Sequence, residues 1–172
     1  MNDQAVIASQ IGRPLRARAE VVVRCHLDLP VVTKVPPVLD DGTPFPTLYW
    51  LSCPLAVRRV ARLESAGAIA RIESFVGSNS ELASAAAAAD ERYAATRAAA
   101  VPEGASPEPA GGVGGNKGAG IKCLHAHYAD SAAGNHNPIG EIVRPFVEPL
   151  DCLQQCVRED DGVERNPDWR EP

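Results

Sequence analysis

The sequence predicts a single α+β domain, a small sheet with packed helices. Three observations carry that prediction: the chain's 172 residues are about one domain's worth, a β-branched run near the start reads as a strand, and segments of helical period follow it. The 45% hydrophobic fraction includes 27 alanines, and only eight side chains are aromatic (2 Trp, 3 Tyr, 3 Phe), so the core must be built from Val, Leu and Ile. A net charge of -5 and a pI near 5.4 lack the basic excess of nucleic-acid-binding domains, so nucleic acid is not an expected partner. No apolar run reaches the roughly 20 residues a membrane helix needs. The opening Met1-Asn2-Asp3-Gln4 has no signal-peptide pattern, so the expected location is cytoplasmic and no membrane partner is expected.

Taken in order, Asp3 can cap a short helix that runs to Ile11 and ends at Gly12-Arg13-Pro14. Residues 19–25 read as a buried strand. The stretch 30–46 holds Pro36, Pro37 and Pro44, which predicts extended chain and turns rather than a central strand. Residues 47–51 predict a second strand. Pro54 opens a helix with Ala56, Val60 and Leu63 on its core face, and Gly67 suits its stop. Residues 77–120 turn to Ala, Gly, Ser, Glu and Pro. Ser78-Asn79-Ser80-Glu81 has capping-box spacing, and the alanine-rich helix it starts carries the stripe Leu82, Ala86, Ala89, Tyr93. Pro102 ends that helix. Residues 102–120 then read as a flexible Gly/Pro-rich connector with little apolar surface to bury. The expected domain is 3–145, with the Ala-rich helix and connector at 78–120, and 159–172 is expected to be a disordered tail.

Five cysteines without an export signal point to reduced thiols or metal ligands rather than a disulfide framework. Three lie in clusters at element boundaries: Arg24-Cys25-His26, Leu51-Ser52-Cys53-Pro54, and Lys122-Cys123-Leu124-His125-Ala126-His127. A helix start lowers a thiol's pKa, which would favour a thiolate at Cys53. Thiols combined with imidazoles are the ligand set of zinc or an iron–sulfur cluster, so Cys25, Cys53, Cys123, His125 and His127 are the candidate metal ligands. No Cys-x-x-Cys pair occurs, and such a site must be assembled from distant segments. If residues 121–133 are helical, Cys123 and His127 share a face and His125 points away. If they are extended, all three share one face. Arg58, Arg59, Arg62 and Lys122 are a candidate anion-binding set. No catalytic residue emerges. Cys152 and Cys156, at i, i+4, suggest a short helix, and Asn135-His136-Asn137-Pro138 reads as a turn.

The runs Arg24-Cys25, Asp41 through Pro54, Leu63-Glu64 with Gly67, Lys122-Cys123-Leu124-His125 and Asn137-Pro138-Ile139-Gly140 resemble the bacterial domain-of-unknown-function family numbered 501, over roughly residues 3–142. The resemblance places Cys25, Cys53, Cys123 and His125 on family positions, whereas His26 and Asp28 depart from its Arg-Cys-Pro-x-Gly-x-Pro pattern. It implies an actinobacterial setting and a partner tied to cell division or polyphosphate metabolism. It implies no reaction. Two classes follow: a small metal- or thiol-dependent enzyme, or a noncatalytic adaptor with a structural thiol site.

Overall fold

The computed structural model describes residues 1–105, 109–118 and 120–172. Helix α1 (Asp3–Ile11) is capped by Asn2, whose side chain accepts from the Gln4 amide, and Gly12 in the left-handed region closes it. Three antiparallel strands follow as a meander in the order β1 (Glu20–Arg24), β2 (Pro30–Lys34), β3 (Tyr49–Leu51). The central strand is β2, within the stretch expected to be irregular. Its only proline is the first residue, where no earlier ladder bond is lost, and Pro36, Pro37 and Pro44 all fall in the β2–β3 connection. Val31, Val32 and Thr33 are buried in succession, as a strand covered on both faces requires.

Pro54 opens α2 (Pro54–Ser65), which buries Leu55, Ala56 and Val60 and leaves Arg58 and Arg62 outside. Gly67 ends it but also starts α3 (Ala68–Gly77), because its left-handed backbone turns the chain directly into another helix. Asn79, not Ser78, caps α4 (Ser80–Ala98): its Oδ1 accepts from Glu81 and Leu82. The expected stripe faces inward, with Ala89 and Tyr93 buried and Leu82 and Ala86 half-buried. Helices α5 (Leu124–Ala132) and α6 (Pro138–Val147) pack together, and the segment expected to be a turn is the cap of α6, where Asn137 Oδ1 accepts from Gly140 N at 3.0 Å. Gly140 lets the two helices touch. A Cβ there would lie 2.3 Å from the His127 carbonyl oxygen and 2.5 Å from Ser131 Cβ.

Two expectations need correction. Of the supposed connector, residues 106–108 and 119 lie outside the described residues, but 111–116 form a docked loop with a single 3-10 turn, Val113–Gly115. Val113 is buried, its amide donates to Asp90 Oδ1 at 2.7 Å, and the buried Arg97 guanidinium donates to the carbonyls of Pro46, Gly111 and Gly112. The loop is held through its main chain, a device composition does not reveal. The supposed tail is likewise attached. Strands β4 (Val157–Glu159) and β5 (Val163–Arg165) pair antiparallel, Trp169 enters the core, and Arg165 donates to Ser9 O and Gln10 O at the end of α1. Burying one indole outweighs the acidic character of its neighbours. The α+β class holds, and no helix among the described residues is long and apolar enough to cross a membrane.

Candidate functional site

Strand β3 and the starts of α2 and α5 meet at a cleft of about 470 Å³, completed by the end of α1 and by β5. Its apolar wall includes Tyr49, Trp50, Leu51 and Val57, and its polar groups include Gln10, Arg58, Cys123, His125 and Arg165. Trp50 is half-exposed, with Phe45 stacked on it at 5.4 Å and the Arg13 guanidinium 5.5 Å from its ring. Tyr93 fixes the base of this wall from α4, its hydroxyl accepting from the amides of Leu48 at 2.5 Å and Tyr49 at 3.2 Å.

The start of α5 is tied to α2 by one carboxylate. Glu64 Oε1 accepts from the Leu124 amide at 2.6 Å and lies 3.2 Å from His125 Nδ1. The other ring nitrogen of His125 is 3.2 Å from Val57 O. Both nitrogens thus face oxygens of α2 rather than the Cys123 thiol. Burial pushes the Cys123 thiol above its ordinary value.

The five candidate metal ligands do not assemble. Cys25 and Cys53 line a small cavity on the other side of the β3–α2 junction, where Cys152 and Cys156 join them. Cys123 and His125 belong to the cleft. His127 is buried between α5 and α6, with Nδ1 3.1 Å from Asn137 Oδ1 and no partner for Nε2. The helical alternative for this segment is therefore the observed one, but Cys123 is the cap preceding α5, with extended backbone, and does not share a site with His127. Among the described residues, no three His, Cys, Asp or Glu side chains are grouped to hold an ion as they stand.

The expected thiolate at Cys53 is also reversed. Burial pushes its thiol up to about 12, outweighing the amides of the first turn of α2. The thiol of Cys156 is likewise raised by burial, and no helix forms around Cys152 and Cys156. Burial lowers the pKa of His127 and keeps its ring neutral.

The four candidate anion ligands separate in the same way. Arg59 donates to Val147 O and Pro149 O and pairs with Asp151, Arg62 pairs with Glu171, and Lys122 donates to Gly114 O. Arg58 alone reaches the cleft, its guanidinium 4.9 Å from the Trp169 ring. Arg165 joins it from the segment expected to be disordered, and no local signal in the sequence marks it. Gln10 is a second residue of the cleft that no motif in the sequence marks. It is buried between the cleft and the cysteine cavity, and its Oε1 has no partner.

Segments 47–58 and 123–126 of this cleft lie within the span matched by one family model, whereas Gln10, Ile11 and Arg165 lie outside it. The chain belongs to the family described as "Protein of unknown function (DUF501)", which matches residues 21–145. No curated protein and no solved structure matches the chain.

Proposed function

We propose that this family member is a binding protein whose cleft takes a small anion carrying a flat ring, the chemistry of a nucleoside monophosphate. One observation carries the reading. Two guanidinium groups with no ion-pair partner among the described residues, Arg58 and Arg165, border the same cleft as the half-exposed Trp50 ring. Guanidinium forks suit phosphate oxygens, and the apolar wall of Tyr49, Trp50 and Val57 suits a flat ring. The cleft's volume falls in the range of small-molecule sites. Binding is favoured over nucleophilic catalysis because both nitrogens of His125 are engaged by α2 and the Cys123 thiol is raised by burial.

Calorimetric titration with adenosine 5′-monophosphate, adenosine and inorganic phosphate tests this. The nucleotide is expected to bind more tightly than either half. Arg58→Ala or Arg165→Ala should each remove a charged hydrogen bond worth roughly 1.5–3 kcal/mol, a loss of ten- to a hundredfold in affinity. Absence of saturable binding by the nucleotide refutes the proposal, as does binding unchanged in both variants.

A further inference from the structure

We propose that Cys25, Cys53, Cys152 and Cys156 form a tetrathiolate site for a single thiophilic divalent ion, with zinc the expected occupant. Four of the chain's five cysteines line one small cavity, although they come from three segments far apart in sequence. Cys25 opens the β1–β2 turn, Cys53 precedes α2, and Cys152 and Cys156 belong to the chain between α6 and β4. The fifth, Cys123, lies in the cleft. No His, Asp or Glu lines the cysteine cavity; beside the four thiols, its polar side chains are the amides of Gln10 and Gln154.

The size of the cavity selects among thiophilic groups. Its space is about 10 Å³, room for one water-sized body, which suits a lone ion. The surrounding wall is apolar, with Leu29, Leu55 and Leu150 among its residues, a poor host for a water molecule.

Groups that would stabilise thiolate sulfur are already in place. Trp169 Nε1 donates toward Cys152 Sγ at 3.5 Å, and Gln10 Nε2 donates toward Cys156 Sγ at 3.6 Å. Cys53 sits at the positive end of α2. N–H groups aimed at sulfur are the usual outer shell of such sites, offsetting the excess negative charge of four thiolates on one divalent ion.

The four thiols line the cavity without surrounding one point at bonding distance, so loading must draw them inward to metal–sulfur bonds of about 2.3 Å. Cys25 and Cys152 are only half-buried and lie outside helices and strands, which gives them the freedom to turn. Each thiol gives its proton to solvent as its sulfur bonds the ion, so binding releases protons and weakens as pH falls. A filled site would tie the first hairpin, the start of α2 and the C-terminal segment to one atom, which is a structural role. It is independent of the cleft's ligand.

The test uses the full chain purified anaerobically with reductant. Metal analysis is expected to find about one zinc per chain, lost in Cys25→Ser and Cys156→Ser and retained in Cys123→Ser. Because those two variants can fail to fold, the wild-type protein stripped by chelator is also titrated with Co²⁺. The expected result is the intense absorption of tetrahedral cobalt with sulfur-to-metal charge transfer, saturating at one equivalent and bleached by zinc. A stripped wild-type chain that yields no such band overturns the proposal, as does zinc that survives both serine substitutions. Iron with equimolar sulfide in the purified protein would also overturn it, in favour of a cluster.

Discussion

Gly140→Ala sets two effects of opposite sign against each other. In an unhindered helix the change stabilises, because alanine exceeds glycine in helix propensity by about 1 kcal/mol. At Gly140, however, the new Cβ would lie 2.3 Å from the His127 carbonyl oxygen and 2.5 Å from Ser131 Cβ, well inside contact distance. The first neighbour is backbone within α5 and cannot rotate away, so α6 must move off α5. Overpacking of this kind costs roughly 1–3 kcal/mol, with the upper end expected where the obstacle is backbone. The net loss is then about 2 kcal/mol, and for a domain of this size about 4–8 °C in thermal midpoint. Gly77→Ala is the internal control. Gly77 ends α3 with nothing within 4 Å of the position its Cβ would occupy, so the same substitution should leave the midpoint unchanged or raise it slightly. Scanning calorimetry of both variants gives the answer. A Gly140→Ala midpoint equal to or above wild type would show that α5 and α6 do not approach as described.

Three further outcomes are expected. Asp90→Ala removes the acceptor of the Val113 amide, and a loss of about 1–2 kcal/mol with new protease cleavage in 111–116 should follow; unchanged proteolysis would mean that the loop is held without Asp90. Trp169→Ala should cost about 3 kcal/mol in urea unfolding, whereas a disordered tail would cost nothing. Burial lowers the pKa of His127 below its ordinary 6.5, so the unfolded chain takes up a proton at a pH where the folded chain does not. Stability should therefore fall as pH drops from about 6.5 toward the folded-state value, and urea midpoints for His127→Gln should lack that part of the slope.

What was legible in the sequence was local. Helix α2 announces itself through Pro54 and its apolar stripe, and α4 through its alanines and the Asn79–Glu81 region, although the capping side chain is one residue later than the box suggests. Two helices were hidden by signals with a double meaning. Gly67 reads as a stop but is also a start, and Asn137-Pro138 reads as a turn but is a capping residue followed by proline at the first helical position. Strand β2 is obscured in the sequence because Pro36 and Pro37 follow it so closely. The cysteines show the larger limit. Their positions at element boundaries are visible in sequence, but which of them meet depends on how the hairpin turn and the C-terminal segment pack, and no periodicity encodes that. Boundary position groups Cys123 with Cys25 and Cys53, yet it is Cys152 and Cys156 that share the cavity of Cys25 and Cys53. Arg165 reaches the cleft only because β5 packs against the end of α1.

The grip of Arg97 on the glycine loop bears on how freely this part of the chain can diverge. Its guanidinium lies over the Tyr93 ring and reaches the loop only through the carbonyl oxygens of Gly111 and Gly112, with that of Pro46 beside them, and so is indifferent to side-chain identity along the loop. Identity matters where a side chain would collide: a Cβ on Gly112 would strike Asp90, and one on Gly115 would strike Pro46. Gly104, by contrast, has nothing near the position of its Cβ, and only its φ of 80° favours glycine there. Insertions and grafted tags should therefore be accepted beside residue 104 and side chains rejected at 112 and 115, so divergence here is limited by collision and backbone conformation rather than by recognition of side chains.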